Sequence, residues 1–426
     1  MDSESLGIVR EMFEAVDQAV PREPTSQADH ARQLFELLAR EGGHVEAIGE
    51  PQYWRTRIDE LGTWSDDPWA GATYGVDAGT TRPIEYNNGL VVDTAYAKTA
   101  VAGNDDGGEI ERTGHITGVA YFDDDDSTLH AQTFDGDNVT AELIPFPQPA
   151  KEPRNIGKSV ASVAQRMSES RQALASVESV DGPLFLDGAV LPLGIVYWLL
   201  LDYTGGRSPA GSWDVPADIV GNYIEVIDRQ YERDQPVIGI VKTSSLSQLL
   251  SSLREKIASH NIRDDSGRLV SVPWTRDHQF MSEVLRFDDL EYLTYTSWFV
   301  QQSREIQGQH VEALEPISGR GRHGDAEAYR RAFCYVRLPK TGDLLRIEAP
   351  YLMVKDEDMR EQMRLKALKE IAQRRGVPRA IHRADRLARI SRENRDTIRD
   401  MIERTEYSYD HNWDGRWSDI EEDPEL

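Results

Sequence analysis

The sequence is poor in cysteine and in long apolar runs. One cysteine, Cys334, stands among 426 residues, which excludes a disulfide framework and favours a reducing, intracellular setting. Because Cys334 lies in the apolar run 333–336, we expect a buried structural thiol rather than a nucleophile. The longest apolar stretch, residues 183–201, is interrupted by Asp187 and Pro192, so it predicts a buried strand and a helix and not a membrane span. The N-terminus also lacks the basic and apolar segments of a signal peptide, and we expect a cytoplasmic protein.

Positive charge is scarce as well. The chain has 48 Lys+Arg against 74 Asp+Glu, a net charge of −26, and only 9 of the 48 are lysines. This balance excludes a uniformly basic nucleic-acid binder, although it allows a local basic patch. Many carboxylates with few lysines, in stretches such as Asp123–Asp126, are typical of proteins kept soluble in high salt. We therefore expect a halophilic protein, with an ordinary acidic cytosolic protein as the alternative.

Apolar periodicity divides the chain into elements of both kinds. Residues 1–48 are predicted to be helical, and residues 50–70 to form a loop with three tryptophans. Together the elements predict a mixed-sheet α/β fold with an N-terminal helical extension. We assign residues 1–48 to that extension, 49–405 to the main domain and 406–426 to an acidic disordered tail. The predicted strands are 72–76, 89–101, 116–122, 184–186, 237–241, 333–338 and 344–349, and the predicted helices are 156–178, 246–258, 357–375 and 379–402.

Two aspartates each follow a short apolar strand and precede small residues. Asp77 stands in Val76-Asp77-Ala78-Gly79, and Asp187 stands in Phe185-Leu186-Asp187-Gly188. Either motif alone is an ordinary way to leave a strand. If the two strands are neighbours, however, both carboxylates meet at one edge of the sheet, where a hard cation such as Mg²⁺ or Mn²⁺ would relieve their repulsion. The pair therefore predicts a divalent-metal site.

The third feature is a local excess of positive charge near the C-terminus. Between Arg360 and Asp400 there are 13 Lys+Arg and 6 Asp+Glu, in a chain that is strongly acidic overall. A solvated helix face with ion pairs between successive turns is one explanation. Since arginine matches phosphate geometry, we favour contact with nucleic acid.

In this combination the chain resembles the NurA family, archaeal and bacterial nucleases that process DNA ends. The resemblance rests on the two aspartate motifs, on the run 237–244, and on Gly376-Val377-Pro378 leading into the run 384–390, in that order over about residues 70–400. It implies an RNase H-like (Piwi-like) core and a Mn²⁺-dependent site, with Mg²⁺ as the alternative ion. It further implies 5′→3′ exonuclease and single-strand endonuclease activity in double-strand break resection and homologous recombination. Finally, the resemblance implies a nuclease of haloarchaeal type that forms a homodimer and works with the hexameric ATPase translocase HerA.

The resemblance also assigns the site residues. The first and second metal aspartates of the family fall on Asp77 and Asp187, and its helix glutamate falls best on Glu169. By helical spacing Glu169 points away from the apolar face of its helix, although it still reaches the edge of the sheet. Glu178, which the same spacing puts on the apolar face, is the fallback.

Two positions depart from the family pattern. The family often has Tyr-Pro, with a histidine eight residues after the tyrosine, whereas this chain has Val377 and Asp385 there. An aspartate still ligates a hard cation, but a neutral imidazole would be lost as an acid or base. His382, one helical turn earlier, is a candidate replacement, although a surface histidine on a basic helix is the favoured explanation of it.

The expected reaction is metal-assisted hydrolysis of a phosphodiester. Asp77, Glu169, Asp187 and Asp385 would hold one or two divalent ions. Lys242 would touch a phosphate, and arginines of the C-terminal helices would hold the DNA strand, namely Arg379, Arg383 and Arg386.

Three other functions remain open at the level of sequence. The first is a non-catalytic dimeric adaptor of a DNA translocase that retains the nuclease fold, which the change from histidine to Asp385 favours. The second is a guide-dependent nuclease of the Argonaute type, for which no 5′-phosphate pocket is recognisable in the sequence. The third, an acidic metalloenzyme for small molecules, is disfavoured by the basic C-terminal helices.

Overall fold

The computed structural model describes residues 2–19, 24–103, 113–122, 127–148, 156–242, 246–306, 309–312, 315–317 and 319–403. Its helices are α1 (Ser3–Ala19), α2 (Pro24–Glu36), α3 (Ile58–Gly62), α4 (Ile156–Ser176), α5 (Leu193–Tyr203), α6 (Val215–Tyr231), α7 (Gln248–Ser259), α8 (Asp277–Val284), α9 (Tyr351–Val354), α10 (Glu357–Arg374), α11 (Arg379–Ala388) and α12 (Arg392–Glu403). Its strands are β1 (Val45–Ala47), β2 (Tyr53–Arg57), β3 (Thr73–Thr80), β4 (Ile84–Glu85), β5 (Val91–Ala102), β6 (Gly114–Tyr121), β7 (Gln132–Asp135), β8 (Val139–Pro145), β9 (Leu184–Asp187), β10 (Val237–Val241), β11 (Tyr292–Thr296), β12 (Phe299–Gln301), β13 (Ser303–Ile306), β14 (Gln309–Glu312), β15 (Arg331–Arg337) and β16 (Leu344–Pro350).

Fourteen of these strands form one mixed sheet. At its centre β3, β5 and β6 make an antiparallel meander. Strands β9 and β10 extend the sheet on the other side of β3. Strand β9 is parallel to β3, and β10 is parallel to β9. The order β6-β5-β3-β9-β10, with helix α4 between the meander and β9, is the RNase H-like core that the sequence predicts.

The central parallel strands are covered on both faces. The run 237–240 of β10 is buried throughout, as an apolar strand inside a parallel sheet requires. The hairpin β15–β16 then pairs with β10 through an antiparallel contact. Cys334 in β15 is fully buried, and its burial raises the pKa of the thiol, so the predicted structural role is confirmed.

Helix α4 lies between two layers, since it packs on β5 and β6 and also against α6. Its polar side chains are consequently buried along with its apolar ones. Ser168 Oγ donates to the carbonyl oxygen of His115 at 2.7 Å, and Asn222 of α6 donates to Ser170 Oγ at 3.2 Å. A polar residue on this helix therefore does not have to face solvent.

Helix α11 sits directly on strand β3. A side-chain carbon at Gly75 would collide with the backbone of Ala380, and one at Gly79 would collide with the carbonyl oxygen of Ala388. Because Gly75 and Gly79 have no side chains, the helix can approach the strand this closely. Because side chains alternate along a strand, Asp77 lies between them on the same face of the sheet.

Several sequence-based boundaries differ from the structure. Strand β3 does not end at Val76 but continues to Thr80, so Asp77 lies within it. The predicted helix 379–402 is divided into α11 and α12, because Ser391 Oγ accepts the N–H of Asn394 at 3.1 Å and begins a new helix. The extension 1–48 is not helical throughout, since it ends in β1, and the predicted loop 50–70 contains β2 and α3.

The N-terminal helices are present as predicted. The apolar residues of α1 nevertheless remain exposed, whereas α2 packs against α8. The acidic stretch Asp123–Asp126 and the predicted tail 406–426 lie outside the described residues.

Candidate active site

Asp77 and Asp187 lie side by side on adjacent parallel strands. The register pairs Val76 with Leu186, so the next step along each strand brings the two aspartates together. Asp77 is buried at 7% exposure, and its Oδ1 accepts the N–H of Ala78 at 2.7 Å. The geometry that the sequence argument required is therefore present at the carboxyl end of β9.

Lys242 joins this pair from the end of β10. Its Nζ lies 2.6 Å from Oδ2 of Asp187, and its side chain remains 42% exposed. Lys242 is thus a partly exposed cation paired with a carboxylate of the cluster. The expected phosphate contact stays a prediction, and in this structure the lysine is paired with an acidic residue of the site.

Glu169 approaches the same cluster from helix α4. It is fully buried, and its Oε2 accepts a hydrogen bond from Arg166 Nη1 at 2.8 Å. Its Oε1 makes no hydrogen bond of normal geometry among the described residues, and the hydroxyl of Tyr223 beside the carboxylate lowers the pKa of Glu169 by hydrogen bonding. Burial raises the pKa of Glu169, although the guanidinium of Arg166 opposes that rise.

The three carboxylates interact through their charges. Burial, followed by the negative charges of Asp187 and Glu169, raises the pKa of Asp77 to about 8. Lys242 lowers this pKa, but to a smaller extent. At neutral pH one carboxyl of the cluster therefore carries a proton that a cation would displace.

The donor set fits a hard divalent ion. Carboxylate oxygens are what Mn²⁺ and Mg²⁺ prefer, and Glu169 Oε1 is a buried acceptor without a partner. Among the described residues, however, no group of three or more His, Cys, Asp or Glu side chains is arranged as a ready metal cage. Asp187 Oδ2 is paired with Lys242 and would have to share or exchange that contact for an ion, whereas Glu169 keeps Arg166 on Oε2 and leaves Oε1 available.

Asp385 and His382 lie on α11, the helix that covers Asp77. Asp385 is exposed, whereas His382 is half-buried. Burial lowers the pKa of His382, and the charges of nearby Arg374 and Lys242 contribute in the same direction. The structure therefore gives Asp385 more solvent access than His382, and the roles of both residues stay predictions.

Glu178 lies elsewhere. It belongs to a single helical turn after α4 and is exposed. It forms ion pairs with Arg229 on α6 and with Arg233, which follows that helix. The sequence-based placement of Glu178 on the apolar face is wrong, because α4 ends two residues before it. Between the two glutamates, the structure brings Glu169 to the aspartates.

The basic C-terminal region divides into two parts. On α10, Arg364 and Lys366 are buried, and Lys366 pairs with Asp67 at 2.9 Å. On α11, Arg379 and Arg386 are exposed, while Arg383 is half-buried and donates to the carbonyl oxygen of Val101 at 2.8 Å. The exposed basic side chains thus lie mainly on α11 and the residues after it, while α10 contributes Arg374 at its end.

Sequence reasoning missed Arg166 and Tyr223 as members of the site. The spacing of Arg166, three residues before Glu169, is typical of an ion pair on one helix face and pointed to it. Nothing in the local pattern of α6 pointed to Tyr223, because its proximity to Glu169 arises only when α6 packs on α4.

Comparison with known protein families identifies the family of the chain. Residues 71–390 match the NurA domain family. The chain belongs to the NurA family. The matched stretch contains all four carboxylates assigned above, namely Asp77, Glu169, Asp187 and Asp385.

Solved NurA structures are similar to the chain at low identity. The NurA nuclease from Sulfolobus solfataricus is 11% identical with a TM-score of 0.48, covering 94% of this chain and 96% of that one. A NurA bound to dAMP and manganese is 11% identical with a TM-score of 0.39, covering 82% and 92%. A NurA with manganese is 10% identical with a TM-score of 0.38, covering 82% and 93%. Among curated proteins no sequence matches.

Membrane insertion of a helix receives no support. In the described part of this NurA family member, each helix is too short or too polar to cross a bilayer.

Proposed function

We propose that this chain is a metal-dependent deoxyribonuclease that cuts DNA as a 5′→3′ exonuclease and a single-strand endonuclease. The observation that carries the proposal is the convergence of Asp77, Asp187 and Glu169, together with a pKa of Asp77 raised to about 8. Carboxyl groups whose pKa is strongly raised by burial and by neighbouring like charges cluster at functional sites. Membership of the NurA nuclease family supports the same activity.

Mn²⁺ is the proposed ion, with Mg²⁺ as the alternative. When bound, the ion supplies Lewis-acid polarisation of the scissile phosphate and activation of water. Asp77 and Asp187 would hold it from adjacent strands, and Glu169 would offer its unpartnered Oε1 from α4. Asp385 remains the proposed fourth carboxylate, reached from α11.

The neighbouring basic groups would hold the substrate. Lys242, once released from Asp187, orients a phosphate beside the carboxylates. Arg166 opposes protonation of Glu169 and fixes the direction of its carboxylate. Arg379, Arg383 and Arg386 would bind the DNA backbone along α11, and such contacts weaken as salt rises.

The cellular role that we propose is resection of double-strand breaks for homologous recombination. In that role the chain would act in the cytoplasm as a homodimer with a HerA-type hexameric ATPase translocase. The charge of −26 with few lysines supports a halophilic setting. A partner that encloses DNA would offset the weakening of phosphate contacts by salt.

The test is cleavage of end-labelled single- and double-stranded DNA with Mn²⁺, with Mg²⁺ and with EDTA. We expect the metal-dependent activity to disappear in Asp77→Asn and in Asp187→Asn. Asp93→Asn is the matched control, because Asp93 on β5 is also buried but accepts a hydrogen bond from Thr81 and does not face the other carboxylates. Full activity in either site variant would refute the proposal.

The second candidate is a non-catalytic dimeric adaptor of a DNA translocase. Its support is the pairing of Asp187 with Lys242 and of Glu169 with Arg166, which leaves no ready metal cage among the described residues. An adaptor would bind DNA and the translocase but show no cleavage with either ion.

A further inference from the structure

Helix α5 is apolar on all sides, although one side of it faces solvent. Of its 11 residues, only Asp202 carries a charge and only Gly194 lacks a side chain. A helix of this composition is normally buried all round. Here Ile195, Val196 and Leu200 are buried, and the helix packs against α6. The other side remains open, in a chain with 74 Asp+Glu.

The open side of α5 is a stripe without charge. Leu193, Tyr197 and Leu201 follow one another at intervals of four residues, so they lie on one side of the helix. We call these three residues, together with Gly194, the outer face of α5. Leu193 and Leu201 are half-buried, whereas Gly194 is exposed and a Cβ placed on it would meet nothing within 4 Å. Tyr197 is the largest side chain of this face and is 41% exposed.

The outer face of α5 begins in the candidate active site. A cavity of about 330 Å³ is lined by Asp187 and Lys242 and also by Leu193 and Gly194. Residues four apart on a helix have Cβ atoms about 5–6 Å from each other, so Tyr197 stands next to Leu193. Because side chains on a helix lean toward its N-terminus, the ring of Tyr197 is directed toward the mouth of this cavity.

The cavity and the outer face of α5 differ in their chemistry. Lys242 and Arg166 contribute positive charge to the cavity, beside the carboxylates. The outer face has no charge, and its only polar side-chain atom is the hydroxyl oxygen of Tyr197. A nucleotide has the same division, because its phosphate is charged whereas its base is flat and uncharged. Since Leu193 and Tyr197 are about one helical turn, ~5.4 Å, apart, a base next to a phosphate in the cavity reaches Tyr197.

We propose that Tyr197 stacks on an unpaired nucleobase beside the scissile phosphate, and that this contact favours single-stranded over duplex DNA. The proposal rests on the nuclease function proposed above and assigns its strand specificity to one residue. Stacking on an aromatic ring tolerates any sequence, since every base has a π face. In a duplex the faces of internal bases are covered by the neighbouring base pairs, so Tyr197 finds no free face there.

Binding is measured in EDTA, so that cleavage does not interfere, and at one salt concentration throughout. Fluorescence anisotropy compares a single-stranded oligonucleotide with an abasic strand of the same length, which keeps every phosphate but lacks the bases. We expect Tyr197→Ala to weaken binding of the base-bearing strand about tenfold, as the loss of one stacked base does. The affinity for the abasic strand should not change. Competition by a relaxed, covalently closed duplex should be equally effective with the parent chain and the variant.

Two further variants assign the effect to the ring of Tyr197. Tyr197→Phe keeps the ring without the hydroxyl and should bind both strands as the parent chain does. Tyr203→Ala is the matched control, because Tyr203 is 55% exposed on the same helix. It lies six residues further on, roughly 9 Å along the axis and on another face of the helix, so its loss should leave both affinities unchanged. Thermal melting of each variant establishes that it is folded.

The outcomes separate this inference from the proposed function. If the parent chain cleaves DNA with Mn²⁺ but Tyr197→Ala binds the base-bearing strand equally well, the inference is overturned and the nuclease stays in place. A loss of affinity confined to the base-bearing strand supports the contact even if no DNA is cut, and in that case the nuclease proposal fails. An equal loss on both strands overturns the inference, and weaker self-association of Tyr197→Ala in sedimentation would then assign the outer face of α5 to a contact between two copies of the chain.

Discussion

Two buried aspartates in this protein have nearly the same exposure, but one is surrounded by positive charges and the other by negative charges. Asp67 is 6% exposed and accepts hydrogen bonds from Lys366 Nζ at 2.9 Å and from Lys369 Nζ at 3.0 Å. Burial would raise its pKa, but the two lysines outweigh burial and lower it. Asp77 is 7% exposed and faces two carboxylates, and its pKa rises to about 8. Burial alone therefore does not identify a reactive carboxyl, whereas the sign of the nearest charges does.

The largest expected effect is on cleavage and belongs to Asp77. Asp77→Asn keeps the shape of the side chain but removes its charge, so the ion loses a ligand. We expect Mn²⁺-dependent cleavage to fall by at least ~100-fold, since metal charge stabilisation is worth several kcal/mol. Asp67→Asn should retain the metal dependence of whatever protein remains folded. Equal losses of cleavage in the two variants would erase the distinction between the sites.

The second effect is on stability and belongs to Asp67. Asp67→Asn leaves Lys366 and Lys369 without their shared carboxylate in a buried setting. Removing one partner of a buried ion pair costs about 3–5 kcal/mol. Urea unfolding at pH 7 should show this loss in Asp67→Asn and not in metal-free Asp77→Asn. A variant as stable as the parent chain would mean that the lysines find other partners.

The third effect concerns pH, with opposite signs at the two sites. Because the pKa of Asp77 is raised to about 8, a proton must leave before the ion binds. Apparent Mn²⁺ affinity should therefore rise about tenfold per pH unit below 8 and level off above it.

The same shifts affect the metal-free protein. The protonated Asp77 contributes stability that is complete below its ordinary pKa and is lost as pH rises toward 8, whereas the contribution of Asp67 is lost as pH falls through its lowered pKa. Isothermal titration between about pH 5.5 and 9 measures the Mn²⁺ affinity. Urea unfolding measures the two contributions to stability, in a series that runs from about pH 9 to below 3.8, the ordinary pKa of Asp67. A flat affinity profile would show that Asp77 is ionised without metal.

The smallest effect is expected at α11, where Asp385 is exposed and His382 is half-buried. Asp385→Asn should weaken the Mn²⁺ titration by a few-fold, because an exposed ligand contributes less than the buried ones. His382→Ala is its matched comparison and should alter the pH profile instead if the imidazole moves a proton. An unchanged titration in Asp385→Asn removes this residue from the ligand set.

The sequence predicted the central strands well because their patterns are local. The apolar runs before Asp77 and Asp187 and the run 237–241 each identify a buried strand without tertiary information. The family resemblance then supplied the order in which these strands meet. Their adjacency follows from the RNase H-like topology rather than from any property of the two motifs.

The remaining features depend on packing between distant elements. Glu169 is buried because α6 covers α4, which helical periodicity cannot show. Likewise, the ion pairs of Lys366 and Lys369 with Asp67 join residues some 300 positions apart. The count of charges along the chain therefore included Lys366 and Lys369 in a DNA-binding region, although these cations form ion pairs with Asp67.

The contact of α11 with Gly75 and Gly79 has a mechanical consequence. Backbone rests on backbone there, without intervening side chains that could adjust and absorb a displacement. A pull on α11 by bound DNA or by another protein is therefore passed to the strand segment between the two glycines, which carries Asp77. The spacing of the carboxylates would then respond to load on the helix, so that an assembly could gate the chemistry without touching it.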